Sequence, residues 1–224
     1  MPLSTLAAVQ IDDSLRSKVP LISLGLISST VSVAPSDSLL LQEIADFVSS
    51  LRSGIALDEV QALPEVAATR QTYRLLGKDP SRYRGSAEAL LRRVLAGKPL
   101  YKINNVVDVN NLISLRSRYP VGSYDVDRID SNVSFRLGVG SEAFKGIGKE
   151  TINTESLPLF ADSLGPFGSP TSDSERTMIR TETKRVLTAI IVFDDAEGLP
   201  LLLQKSQDWL KQYASAAIQE TRIV

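Results

Sequence analysis

Ile103-Asn104-Asn105-Val106-Val107-Asp108-Val109-Asn110-Asn111-Leu112-Ile113-Ser114 is the stretch on which the fold turns. It follows Pro99, and its apolar members, continued by Leu115, predict a helix within residues 100–119. Four asparagines and Asp108 crowd into eight of its residues. Asparagine is a mediocre helix former whose amide prefers a partner, so this density reads as function more than as scaffolding. Asn104 and Asn111 stand two helical turns apart and share a face with Asp108.

Upstream, the first third reads as a small α/β unit. Ala7–Ile11 and Leu21–Val33 favour strand, the second being rich in Ile, Val, Ser and Thr. Pro35-Ser36-Asp37 opens a helix expected over 38–52 and closed by Gly54. Another helix is expected over 57–76, interrupted near Pro64 and stopped by Gly77. Ser86 is expected to cap a third, carrying Ala89, Leu90 and Val94 and ending near Gly97-Lys98-Pro99.

Downstream of Val121 the texture changes. Short β-prone pieces, Ser131–Val139, Thr151–Ile152, Leu157–Phe160, Thr177–Ile179 and Val186–Phe193, alternate with Gly, Pro, Asp and Ser. A helix over 199–217 and a short tail close the chain. The expected class is α+β, with helices mainly in the first half and a β-barrel or sandwich-like second half. Residues 1–55 read as an N-terminal extension packed on a main domain of residues 56–224, the two forming one compact unit.

Composition narrows the chemistry. The 224 residues contain no cysteine and no histidine, which removes disulfides, thiolate or imidazole metal sites, and any triad built on either residue. No metal and no cofactor are expected. Carboxylates, hydroxyls, amides and guanidinium groups must carry whatever reaction occurs. No targeting signal or membrane span is visible, so a cytoplasmic protein is the expectation. The net charge is −1, yet nine basic residues between Arg70 and Lys102 face only Asp79 and Glu88, about +7 locally. Such a stretch suits a phosphate backbone or simply forms solvated helix faces. Gly138-Val139-Gly140 and Gly146-Ile147-Gly148-Lys149 read as tight turns, since Glu150 stands where a phosphate loop requires Ser or Thr.

Three motifs taken in order carry more than any alone. Tyr83-Arg84-Gly85-Ser86-Ala87-Glu88-Ala89-Leu90-Leu91-Arg92-Arg93 precedes the asparagine-rich stretch, and Tyr119-Pro120-Val121-Gly122-Ser123-Tyr124-Asp125 follows it. Farther on comes Gly168-Ser169-Pro170-Thr171-Ser172-Asp173-Ser174-Glu175-Arg176-Thr177. Together they resemble the B3/B4 (tRNA-binding, editing) region of the phenylalanyl-tRNA synthetase β subunit, over residues 60–195. No class II synthetase catalytic motif accompanies them.

The resemblance implies a protein that meets the aminoacylated 3′ end of tRNA and hydrolyses mischarged ester, a trans-acting deacylase. It implies Asn111, Thr171 and Asp173 as catalytic candidates, and the shared helix face adds Asp108 as a carboxylate to position water. Asn104, Gly122, Tyr124, Asp125 and Ser172 would bind substrate, and Arg82, Arg84, Arg92 and Arg93 would bind tRNA. Asn111 matches the family's pocket asparagine, whereas Gly122 stands at its histidine and Thr171 or Asp173 at its glutamate. Two other readings stay open, a non-catalytic tRNA-binding module and a binder of a free amino acid. Plainer roles stand beside the functional ones. Asp108 is equally a loop brace, Arg84 and Glu88 an i, i+4 pair, and Arg136 an ion-pair partner on a strand. Asp173, Glu175 and Arg176 can stitch their own loop together.

Overall fold

The computed structural model describes residues 9–130, 132–148 and 150–224. The start of the strand expected at Ala7–Ile11, together with Ser131 and Lys149, lies outside the described residues. Chain order begins β1 (Gln10–Ile11), α1 (Asp13–Lys18), β2 (Ser23–Thr30), α2 (Ser38–Gly54), α3 (Pro64–Leu75), α4 (Ser86–Leu95) and α5 (Asn105–Ser117). It continues with β3 (Val121–Asp125), β4 (Ser134–Leu137), β5 (Ala143–Lys145), β6 (Thr151–Asn153), β7 (Pro158–Asp162), β8 (Gly165–Gly168), β9 (Arg185–Val192), α6 (Leu199–Ala214) and β10 (Ala217–Ile223).

Two four-stranded sheets organise these elements, in the orders β10-β2-β9-β3 and β1-β4-β7-β8. β5 and β6 form a separate two-stranded piece. The class is α+β as expected, but neither four-stranded sheet closes on itself, so the second half is not a barrel. The two sheets instead pack across one shared core. Leu24, Leu26, Tyr124, Leu187, Ala189 and Ile191 of the first meet Phe135, Phe160 and Phe167 of the second. The other face of the first sheet carries Ile27, Val121, Ile190 and Val192, which are covered by α2, α5 and α6. A strand buried on both faces has no solvent-facing side to show, which is why Leu187–Phe193 reads as an apolar run interrupted by the buried Thr188. Gly25 lets α6 lie close on β2, because a Cβ there would stand 2.8 Å from Leu199 Cδ1.

β2, from the first 55 residues, lies between β10 and β9. That segment therefore supplies an inner strand of the main sheet.

Several boundaries differ from expectation for local reasons. The 57–76 helix is two pieces, a 3-10 turn at Glu59–Ala62 and α3, which begins with Pro64 at its first turn, where proline is best tolerated. Gly77, at φ +79°, follows its end. The cap of α4 is Gly85; Ser86 is the first helical residue, and its N–H donates to the Pro170 carbonyl at 2.7 Å. α5 begins only at Asn105, because Asn104 is its N-cap and accepts from the Val107 N–H at 2.9 Å. Thr177–Ile179 is irregular rather than strand, although the Thr177 carbonyl accepts from the Asp125 N–H. The expected tail is β10, whose polar residues Gln219, Glu220 and Arg222 hide a strand formed by pairing with β2.

Candidate functional site

The asparagines of α5 divide their work. Asn105 is buried; its carbonyl oxygen accepts from the Ala34 N–H at 3.0 Å, and its amide donates to the Ser32 and Tyr213 carbonyls at 2.9 Å each. It thereby ties α5 to the β2–α2 link and to the last turn of α6. Asn110 donates to the Val121 carbonyl at 3.2 Å and accepts from the Ser123 hydroxyl at 3.0 Å, which fixes α5 on β3. With Asn104 capping the helix, three of the four amides hold scaffold together. Asn111 is the exception. It is half-buried, and its side chain makes no hydrogen bond among the described residues.

Asn111 opens into a cavity of about 290 Å³ that Asp108 also lines. Leu41, Ile44 and Val48 of α2, Val94 of α4, and Leu100 give it apolar walls. Arg52, Lys98 and Lys102 line it too and are exposed. Asp108 is 2% exposed; it accepts from the Ser36 hydroxyl at 2.5 Å and from the Ile103 N–H at 3.2 Å. Among the described residues no cation pairs with it, although buried carboxylates normally have one. The first turns of α5 offer only the partial positive charge of a helix N-terminus.

The other candidates sit elsewhere. Side chains alternate along β3, so Ser123 turns to α5 while Tyr124 turns to the shared core. There the Tyr124 hydroxyl donates to Asp173 at 2.9 Å. Burial, then the Asp173 charge, push this phenol well above its ordinary range and keep it a donor. The hydroxyl fills the space beside two glycines: a Cβ at Gly122 would lie 2.2 Å from it, and one at Gly168 2.4 Å. The Thr171 and Tyr73 hydroxyls are 2.8 Å apart, and burial raises the Tyr73 phenol as well. Ser172 donates to the Thr171 carbonyl, and Asp125 accepts from Thr183 at 2.7 Å. The four catalytic candidates therefore fall into two pairs on opposite sides of the first sheet. Asp108 and Asn111 line an open cavity; Asp173 accepts from Tyr124, and Thr171 meets Tyr73.

Part of the basic stretch folds onto Glu88, while Arg74, Arg82, Lys98 and Lys102 stay exposed. Glu88, 2% exposed, receives Arg70 Nη1 at 3.0 Å and Arg92 Nε at 2.7 Å, with Arg84 Nε at 3.5 Å. Arg93 donates to the Pro99 carbonyl at 2.6 Å and lies 3.9 Å from the Tyr101 ring centroid. Of the four arginines expected at the tRNA, Arg82 is exposed, and Arg84, Arg92 and Arg93 are half-buried. Arg136 pairs with Glu142 at 2.6 Å, as the plainer reading expects, and this contact holds the Glu142 carboxyl below its usual range. Arg176 stitches its loop to Asp162 at 2.8 Å, and Lys145 reaches Glu175 at 3.1 Å.

Arg52, Lys98, Tyr101 and Lys102 line the cavity; the two lysines belong to the basic stretch read from the sequence, whereas Arg52 and Tyr101 are not among the candidates it offers. The alternation Lys98-Pro99-Leu100-Tyr101-Lys102, an aromatic among cations, is a signal that could have found Tyr101. Arg52 comes from α2, some fifty residues earlier, and had none. Among the described residues no group of three or more carboxylates could hold a metal ion, and no helix is long and apolar enough to cross a membrane.

The B3/4 domain family model matches residues 68–198. Among solved structures, an N-terminal fragment of the phenylalanyl-tRNA synthetase β-subunit from Pyrococcus horikoshii is similar, with 15% identity and a TM-score of 0.47. That similarity covers 94% of this chain and 50% of the fragment, so the chain spans half of the fragment's length. No curated protein matches. The family match extends over more than half of the 224 residues, and the chain belongs to the B3/4 domain family.

Proposed function

We propose that this B3/4 protein binds tRNA in the cytoplasm, receives its aminoacylated 3′ end in the cavity beside α5, and cleaves the ester. The observation that carries the reading is Asp108, a buried carboxylate that lines a cavity and pairs with no cation among the described residues. An α-ammonium group is the counter-ion this carboxylate lacks, and the walls of Leu41, Ile44 and Val48 suit an apolar side chain. The uncommitted Asn111 amide is then free to donate to the ester carbonyl as charge develops on its oxygen. An aminoacyl ester is already activated, so a positioned water completes the reaction. Water adds to the carbonyl carbon, the bond to the ribose oxygen breaks, and the vicinal hydroxyl relays a proton to that oxygen. The free amino acid leaves.

The test is a panel of aminoacyl-tRNAs incubated with the protein and with Asn111→Ala. Loss of one carbonyl donor lowers deacylation about a hundredfold if Asn111 acts as stated. An ester lost no faster than spontaneously, across the whole panel, overturns the hydrolytic step. A second reading, a tRNA-binding module without catalysis, is favoured by the closure of the Gly122 region under Tyr124. It predicts that same negative panel together with salt-sensitive tRNA binding.

A further inference from the structure

The mouth of the cavity has a composition that its interior does not explain. Tyr101 is 65% exposed, yet its ring is held in place: the Arg93 guanidinium lies 3.9 Å from the ring centroid and donates to the phenol oxygen at 3.2 Å. Arg93 is itself fixed by its bond to the Pro99 carbonyl. Arg52 is fixed in the same way, its Nε donating to the Val94 carbonyl at 2.8 Å. Lys98 and Lys102 flank the tyrosine in sequence, are exposed, and form no ion pair among the described residues. An exposed aromatic ring restrained by a guanidinium, with three cations around a shared opening, is the arrangement that captures unpaired nucleotides: bases stack on the ring and phosphates meet the cations. At about 290 Å³ the cavity behind is small for a ligand pocket. It accepts the group carried by a strand terminus rather than a strand running through.

We infer that Tyr101 is a base-stacking platform, and that Arg52, Lys98 and Lys102 bind the phosphates of the unpaired nucleotides leading into the cavity. The inference rests on the cavity's being the site for the aminoacylated 3′ end. It moves the nucleic-acid contact from Arg84 and Arg92, which face Glu88, to the segment that follows α4 and to Arg52 of α2. The partner it specifies is a single-stranded RNA 3′ end.

Fluorescence anisotropy tests it with a short 5′-labelled single-stranded RNA ending in a free hydroxyl, a blunt duplex of the same sequence, and deacylated whole tRNA. The wild-type protein is expected to prefer the single strand over the duplex. Tyr101→Ala should weaken single-strand binding about tenfold, while Tyr101→Trp keeps it, since stacking needs a ring and not a hydroxyl. Lys98→Ala with Lys102→Ala should lower the slope of log affinity against log salt by about 1.4, two phosphates at about 0.7 each. All three positions are exposed, so unchanged thermal melts confirm that the variants fold. Whole tRNA bound equally by the wild type, Tyr101→Ala and the double lysine variant overturns this inference and leaves the proposed function standing. Tyr101-dependent strand binding without ester cleavage has the opposite meaning. Absence of RNA binding at low salt overturns the inference as well.

Discussion

Glu88→Ala is expected to destabilise the fold by about 3–5 kcal/mol, the range found when one partner of a buried ion pair is removed. The Glu88 side chain is 3% exposed, and among the described residues its carboxylate is the one acceptor charge for Arg70, whose side chain is 10% exposed. Without it, the guanidinium of Arg70 keeps, among the described residues, only the Pro80 carbonyl at 3.4 Å. Arg84 and Arg92 would then stand beside an uncompensated cation rather than around a shared anion. The effect should survive added salt, because mobile ions screen buried charge poorly. Arg92→Ala is the internal comparison. Its side chain is 25% exposed, so water replaces much of the lost contact and the expected cost is about 1 kcal/mol.

Urea denaturation of the two variants checks this through the midpoint and slope. Equal losses for Glu88→Ala and Arg92→Ala, or a Glu88→Ala loss below about 1 kcal/mol, would contradict the picture of a buried hub. A further variant separates charge from packing. Combining Glu88→Leu with Arg70→Met removes both charges at similar volume and should recover most of the stability, because well-packed apolar groups replace buried ion pairs at little cost.

Glu88 also shows what a sequence hides. The run of nine basic residues is plain in the sequence, but which of them face water depends on a carboxylate placed within their midst by α3 and α4. Counting charge treats Arg84 and Arg92 as surface, whereas the fold turns them toward Glu88. The asparagines of α5 teach the same lesson from the other side. Their density was legible as something beyond helix propensity, but most of the explanation is tertiary: Asn105 satisfies backbone groups from residues 32, 34 and 213. Elements with strong apolar patterning, such as β9 and α2, were legible almost to their ends. β3, β8 and β10 were not, since Gly122, Gly165, Gly168 and the polar residues of β10 carry little strand signal on their own. The cavity was half legible. Asn111 came from the B3/B4 resemblance and Asp108 from its place on the same helix face, whereas Arg52 arrives from α2 through packing that no local pattern encodes.

Tyr124→Ala is the second large effect, expected to cost about 3–5 kcal/mol as a buried aromatic truncation. The ring is fully buried and makes edge contacts with Phe160 and Phe167, centroids 5.6 and 5.1 Å away. Its removal also leaves Asp173 without the phenol donor. Stability alone would not separate this from any core deletion, but the glycines do. Gly122→Ala should cost about 1–3 kcal/mol by overpacking, since its Cβ would fall 2.2 Å from the Tyr124 hydroxyl. In the Tyr124→Ala background the same change should cost almost nothing, so the two mutations are strongly coupled. Tyr124→Phe will not relieve Gly122→Ala, because the ring carbon Cζ is also only 2.5 Å from that Cβ.

The space vacated by Tyr124→Ala has a defined chemistry, apolar walls from Phe160 and Phe167 with a carboxylate at one end. It should bind p-cresol and be stabilised by it in a thermal melt, with toluene giving a smaller shift because it cannot donate to Asp173. Equal shifts from the two ligands would mean that Asp173 turns away once the phenol is gone. Additive costs for Gly122→Ala and Tyr124→Ala would mean that the hydroxyl does not hold the space beside Gly122. The expected coupling instead explains the glycine itself. At the position where the B3/B4 resemblance puts a histidine, a side chain from the same strand already occupies the room, and only a residue without a Cβ fits beneath it.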